Sequence, residues 1–367
     1  MSVKMRYLPA LDGLRAIAAM LVFLFHTGHA PGGWVGVDIF FVLSGYLITS
    51  ILLTEHERTG VINLRRFYGR RACRLLPALI IVIGVAVVIA VCLQNKVRDI
   101  EIDAVAALFY VLDYRYALMV NLTHATDLAH LWSLSIEEQF YFLWPLTLII
   151  LLKTGTRRMA FRMTLILILV VAAWRVFIFA TRADPSWRIY FAFDTRVDEL
   201  LIGCSLALWE SRGSAARFLK PFWPVAAFLL AVVVLKFGTF NPSMLVGYSL
   251  LGAIIAYLIV IVINDQSSFL KHMLIFPPIV AFGRISYGFY LWHYLIIMEL
   301  NKYLTGNPFV SRTFLLFSLS LIAAIVSYWL IERPFLHFKF SRLSSVPAPV
   351  IESLPKSENA IYRRSLP

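Results

Sequence analysis

Ten stretches of about twenty predominantly apolar residues follow one another along this 367-residue chain, at 10–29, 34–54, 75–94, 131–152, 162–181, 195–211, 221–238, 244–264, 277–302 and 312–334. As helices rising 1.5 Å per residue, stretches of this length span the roughly 30 Å hydrocarbon core of a bilayer. The pattern predicts an all-α fold, a polytopic integral membrane protein with about ten transmembrane helices. The sixth and seventh stretches are short, and 103–120 could add a partial helix. Hydrophobic residues make up 60% of the chain and charged residues only 15%, against roughly 25% charge in soluble domains. Lys and Arg outnumber Asp and Glu by 34 to 21. In a soluble protein that surplus would suggest nucleic acid. Here basic loops and contact with anionic membrane lipids account for it, so no nucleic-acid partner is expected.

Where the basic residues fall sets the orientation. Segments 1–8, 54–74, 153–162, 210–220, 264–272 and 335–367 hold 21 Lys and Arg, and the alternate connections hold 8. Positive charge is retained on the cytoplasmic side, which predicts both termini cytoplasmic and 95–130 outward. Segment 95–130 contains AVAALFYVLDYRYALMV, too apolar for a solvated loop. It is expected to be re-entrant or interfacial, packed over the bundle. One domain, 1–340, would then precede a Ser/Pro-rich tail, 341–367, expected to be disordered. Cys73, Cys92 and Cys204 are too dispersed for a disulfide framework or a metal site. Lys4 and Arg6 ahead of the first apolar run imitate a signal peptide, but another span follows at once and the run reads as retained. The sequon Asn121-Leu-Thr is discounted as a chance match.

The first span, LDGLRAIAAMLVFLFHTGH, carries Arg15 and His26. Eleven residues are almost three helical turns, so both side chains leave one face, roughly 16 Å apart along the axis. Ionisable groups within a span are costly and mark functional sites by default. The alternative is that Arg15 snorkels at the entrance beside Asp12 while His26 ends the helix. In GWVGVDIFFVLSGYLI, residues 33–48, Gly33 and Gly36 allow a tight turn, and Ser44 and Gly45 allow close helix approach. Asp38 stands near the outer end, where it could orient His26.

Further along, FYGRRACRLLP places Arg70, Arg71 and Arg74 at the cytoplasmic mouth of the third span. Arg71 and Arg74 are i,i+3 neighbours whose planar forks suit phosphate, or simply lipid headgroups. In HLWSLSIEEQFYFLWP, residues 130–145, Ser135 and Glu138 fit a capping box. Glu137 then lacks a structural reason, and His130, Ser133 and Glu137 share a helical face. The ninth span holds GRISYGFYLWHYL, with Ser286, Tyr290 and His293 on one face. An aromatic belt explains its tyrosines but not the histidine. The tenth ends in YWLIERP, where Glu332 needs a partner such as an arginine of the basic mouth.

Taken together these stretches resemble acyltransferase family 3, the integral-membrane acyltransferases that modify surface glycans, nodulation factors and some macrolides. Arg-x10-His matches Arg15 and His26, and Gly-Val-Asp-x-Phe-Phe-Val-x-Ser-Gly matches 36–45. Arg-x-x-Arg matches Arg71 and Arg74, and Trp-Ser-Leu-x-x-Glu-x-Gln-Phe-Tyr matches 132–141. Ser-Tyr-x-x-Tyr-Leu-Trp-His matches 286–293, and Glu-Arg-Pro matches 332–334. The resemblance implies a bacterial inner-membrane O-acyltransferase. It implies an acyl-CoA donor, typically acetyl-CoA as co-substrate with no bound cofactor, and a hydroxyl acceptor on a glycan or glycolipid such as O-antigen or exopolysaccharide. It implies that His26, Arg15, Arg71, Arg74 and Glu332 are the residues most needed. On this view the basic mouth, Arg70 included, holds CoA phosphates, with Ser286, Tyr290 and His293 contributing to substrate binding. His26 acts as base or as acyl-carrying nucleophile, oriented by Glu137 or Asp38, and Glu138 belongs to the same carboxylate group. Glu332 is expected to organise the arginines or the donor. O-acylation of a macrolide or other small molecule is the alternative activity within the resemblance; a transporter using the same polar stripe, and a structural membrane protein whose charges lock helices together, are the competing classes.

Overall fold

The computed structural model describes residues 7–119, 122–182, 186–209, 220–238, 244–264, 269–304 and 308–335. The predicted disordered tail and Asn121 of the sequon lie outside them. Every regular element among the described residues is helical. In chain order they are α1 (Pro9–His26), α2 (Val35–Thr59), α3 (Leu64–Cys92), α4 (Val97–Leu108), α5 (Leu112–Ala117), α6 (Trp132–Thr154), α7 (Arg157–Thr181) and α8 (Ser186–Phe191). Then come α9 (Phe193–Leu208), α10 (Trp223–Lys236), α11 (Met244–Asn264), α12 (Phe269–Leu274), α13 (Pro277–Arg284), α14 (Ser286–Leu300) and α15 (Phe309–Ser327). A π-helical turn, Tyr328–Glu332, completes the last of these.

The all-helical expectation holds. Seven of these helices are long and apolar enough to cross a membrane: α1, α2, α3, α6, α7, α11 and the α15 segment. α9, α10 and α14 have 16, 14 and 15 residues. They coincide with three of the ten predicted stretches but are too short to count by length alone. The ninth stretch is not one helix. It breaks at Ile285, where α13, started by Pro277, gives way to α14. The third begins eleven residues earlier than expected, because Asn63 accepts the Arg66 backbone N–H at 2.9 Å and caps it. The basic cluster is therefore part of α3 itself.

Close helix approach is decided at two glycines. A Cβ on Gly45 of α2 would meet the Leu200 carbonyl of α9, and one on Gly203 of α9 would meet the Val42 carbonyl of α2. Each helix thus presents its glycine to the other's backbone, which is how small residues bring spans together. Gly33 lies in the expected turn into α2, its N–H donating to the Ala30 carbonyl at 2.9 Å, and Gly33 and Gly36 also pack against the Leu21 and Ala18 carbonyls of α1.

Around that crossing lies an ion network that shares no residue with the site described below. Arg196 of α9 is buried against Asp38 of α2, donates to Glu199 at 3.1 Å, and faces the Tyr248 ring at 4.1 Å. Arg175 of α7 donates to Asp198 at 2.6 Å and to Ser249 of α11 at 2.6 Å. Four helices are joined by these charges. The segment 95–130, expected over the bundle, folds as α4 and α5 with buried Asp103 as its hub. Asp103 accepts from Arg115, from Tyr116 at 2.5 Å and from Thr126 at 2.7 Å. Gln139 of α6 ties it down, donating to the Tyr110 carbonyl at 2.7 Å and to Asp113 at 2.9 Å.

Candidate active site

A hollow of about 90 Å³ opens between α1, α2, α3, α6 and α14, well above the ~10–15 Å³ that one water needs. Arg15 reaches it from α1, Phe40 and Ser44 from α2, and Arg71 and Arg74 from α3. α6 contributes Ser133, Glu137 and Tyr141, and α14 contributes Ser286 and Tyr290. Residues from five separate sequence motifs therefore line one space. Helical spacing explains each contribution: Ser133, Glu137 and Tyr141 are successive i,i+4 neighbours, as are Ser286 and Tyr290.

The two arginines of α3 play different parts. Arg71 lies over the Tyr141 ring, 3.1 Å from its centroid, and donates to Glu138 at 2.9 Å, with Glu137 at 3.9 Å. Its fork is occupied by protein. Arg74 makes no hydrogen bond or ion pair among the described residues, although the charges of Glu332 and Asp12 lie nearby. Among the described residues Arg15 has only Asp12 within ion-pair range, at 3.8 Å. The cavity thus carries two guanidinium groups with donors to spare, a ready anion site. Arg70 is not part of it; its charged neighbours are Arg66 and Glu55.

Glu137 is held by the Tyr141 hydroxyl at 2.8 Å and the Ser44 hydroxyl at 3.2 Å. The capping box is absent. α6 follows a 3-10 turn without a side-chain cap, Ser135 bonds back to the Leu131 carbonyl, and Glu138 turns to Arg71. Glu332 is 4% exposed, packs on Gly288, and has one buried carboxylate oxygen with no hydrogen-bond partner among the described residues. It comes from the π-helical turn, a distortion frequent at functional sites.

His26 lies beyond the cavity wall, and Tyr290 is that wall. The Tyr290 hydroxyl donates to the His130 carbonyl at 2.7 Å and meets the Ser133 hydroxyl at 2.6 Å. Its ring borders Phe40 on one side and His293 on the other. Past it, Nδ1 of half-buried His26 is 3.1 Å from Nε2 of His293. Tyr294 packs on both His26 and His130, with ring centroids 4.7 and 5.0 Å away. The stripe predicted on α1 therefore runs along α14: Arg15 shares the cavity with Ser286, and His26 meets His293.

Neither carboxylate expected to orient His26 does so. Asp38 is committed to Arg196, and Glu137 to Arg71, Ser44 and Tyr141. Sequence reasoning also missed Arg196, Asp198 and Glu199 as a buried network. The signal was available in FDTRVDELL, three acidic residues and one arginine entering an apolar segment. Among the described residues no group of His, Cys, Asp and Glu side chains is arranged to hold a metal.

A family model described as an acyltransferase domain matches residues 8–332. Over 348 residues the chain is 36% identical to the peptidoglycan O-acetyltransferase OatA of Listeria monocytogenes, covering 90% of this chain and 56% of that protein. A provisionally named O-acetyltransferase of Staphylococcus aureus is 36% identical over 350 residues, with coverages of 90% and 58%. A provisionally named peptidoglycan O-acetyltransferase, YrhL, of Bacillus subtilis is 36% identical over 350 residues, with coverages of 90% and 55%. The chain spans about half the length of these curated relatives. No solved structure matches it.

Proposed function

Since the chain belongs to the acyltransferase family whose model covers residues 8–332, we propose that it is a membrane-embedded O-acyltransferase carrying an acetyl group from cytoplasmic acetyl-CoA to a glycan hydroxyl. The names of its relatives favour peptidoglycan or another surface polysaccharide as acceptor. The observation that carries the reading is the order of groups along the α1–α14 seam: spare guanidinium donors at Arg15 of α1 and, from the neighbouring α3, Arg74, then the hydroxyl-lined cavity, Tyr290 and His26. CoA brings several phosphate charges, which Arg74 and Arg15 would hold while the thin pantetheine arm passes Tyr290 towards His26. There the imidazole takes the acceptor's hydroxyl proton as that oxygen attacks the thioester carbonyl carbon, and the departing thiolate is reprotonated. Alternatively the imidazole accepts the acyl group first. Glu137 and Glu138 fix Arg71 and shape the cavity, and Glu332 offers an acceptor beside Arg74.

The proposed topology places ten spans in the bacterial plasma membrane, the short α9, α10 and α14 included, with both termini inside. It rests on the basic loops. A cysteine at position 60 in a cysteine-free background should resist membrane-impermeant maleimide in intact cells, and strong labelling there overturns the map.

Purified protein in detergent should transfer radiolabelled acetyl from acetyl-CoA to a soluble glycan; a transporter would show no such turnover. Arg74→Ala should raise the KM for acetyl-CoA at least tenfold, as expected for one charge-assisted hydrogen bond of about 1.5–3 kcal/mol, with Arg74→Lys recovering only part. An unchanged KM removes Arg74 from the donor site.

A further inference from the structure

His26 and His293 form a pair whose proton positions follow from their partners. Nδ1 of His293 lies 2.7 Å from the Tyr290 carbonyl oxygen. A carbonyl only accepts, so this nitrogen carries the hydrogen. In the neutral ring Nε2 of His293 is then a lone pair, and it is this atom that lies 3.1 Å from Nδ1 of His26. Two lone pairs do not face each other at that distance, so Nδ1 of His26 is the donor. Its Nε2 is left as a lone pair. A histidine side chain in water favours the opposite tautomer, with hydrogen on Nε2, so the contact reverses the ring's own preference.

We propose that His293 is the positioning residue of the acyl-transfer centre, holding His26 in the Nδ1–H tautomer with its Nε2 lone pair turned to substrate. The inference deepens the function proposed above and rests on it. His293 fills the place that a buried carboxylate fills beside a catalytic histidine elsewhere, but as a neutral group. When His26 takes the acceptor proton on Nε2, its Nδ1–H still points at the His293 lone pair, which stabilises the imidazolium without an anion in an apolar bundle. Neutrality suits the surroundings. The titratable groups around the pair are His130, from the turn before α6, and Tyr290 and Tyr294 of α14. No carboxylate hydrogen-bonds to either ring among the described residues. His130 donates from Nε2 to the Leu291 carbonyl at 3.2 Å, and among the described residues its Nδ1 has no hydrogen-bond partner, so it is His293 and not His130 that meets Nδ1 of His26.

The test is made on the full-length protein in detergent, by acetyl transfer kinetics and by nitrogen NMR with 15N-labelled histidine. In the wild type His26 should show a protonated Nδ1 and a bare Nε2; the reverse pattern overturns the proposal without any variant. His293→Phe should lower kcat by about 10–100-fold, the usual loss when an orienting partner is removed. The KM for acetyl-CoA should not move, and His26 should revert to Nε2–H. His293→Gln can still accept from Nδ1 of His26, and should keep the wild-type tautomer and most of kcat. A Phe variant with wild-type kcat, or a Gln variant as poor as the Phe variant, overturns the role of His293. Failure of the underlying reading looks different: His26→Ala would then retain activity whatever the His293 variants do.

Discussion

His26→Ala should lose between 10² and 10⁴ of kcat, the span that a general base ordinarily contributes, while acetyl-CoA binding stays close to wild type. The separation follows from geometry. The spare arginine donors line the cavity on one side of Tyr290, and His26 stands on the other side against His293 and Tyr294. Removing the imidazole leaves the anion site intact. His26→Gln should not restore the rate, because an amide hydrogen-bonds but takes no proton near neutrality. The wild-type rate should also fall on the acid side, since protonation fills the Nε2 lone pair that the reaction needs. Steady-state kinetics with purified enzyme, run beside acetyl-CoA titration calorimetry, decide the matter. A His26→Gln enzyme with more than about a third of wild-type kcat makes His26 a packing residue, an outcome far outside the loss expected of a missing base.

The largest effect on stability should come from Arg196→Leu. This guanidinium is 1% exposed and neutralises Asp38 and Glu199, both fully buried. Removing it strands two carboxyl groups in an apolar crossing between α2 and α9, and uncompensated buried charge costs about 3–5 kcal/mol. Arg175 is no substitute, because it is already engaged with Asp198, the Thr195 carbonyl and Ser249. The variant should unfold at clearly lower temperature in detergent and extract as aggregate. Adding Asp38→Asn and Glu199→Gln should recover much of the loss, because the burden is the stranded charge rather than the missing contact. An Arg196→Leu protein that melts with the wild type would mean that the network contributes nothing. It would also reopen Asp38 as a substrate residue.

Much of the site was legible before any fold was known. Apolar stretches of bilayer length dictate helices, and periods of 3.6 residues assign each polar side chain to a face. That arithmetic put Arg15 with His26, Arg71 with Arg74, Ser133 with Glu137, and Ser286 with Tyr290, and the bundle brings one or both members of every pair to a single cavity. The all-helical class and the α1 stripe followed in the same way, whereas the break at Ile285 that divides the ninth stretch into α13 and α14 did not. What periodicity cannot supply is the face opposite. Asp38 and Arg196 are 158 residues apart, and His26 and His293 are 267 apart. Only the packing of α2 on α9 and of α1 on α14 decides that Asp38 answers an arginine rather than a histidine. The same packing gives His26 a neutral histidine, not a carboxylate, at its back. A helix face states which groups need partners, because burying a charge or a lone donor in an apolar medium is costly. Which partner meets that need depends on which helix lies alongside, and the tertiary structure alone decides that.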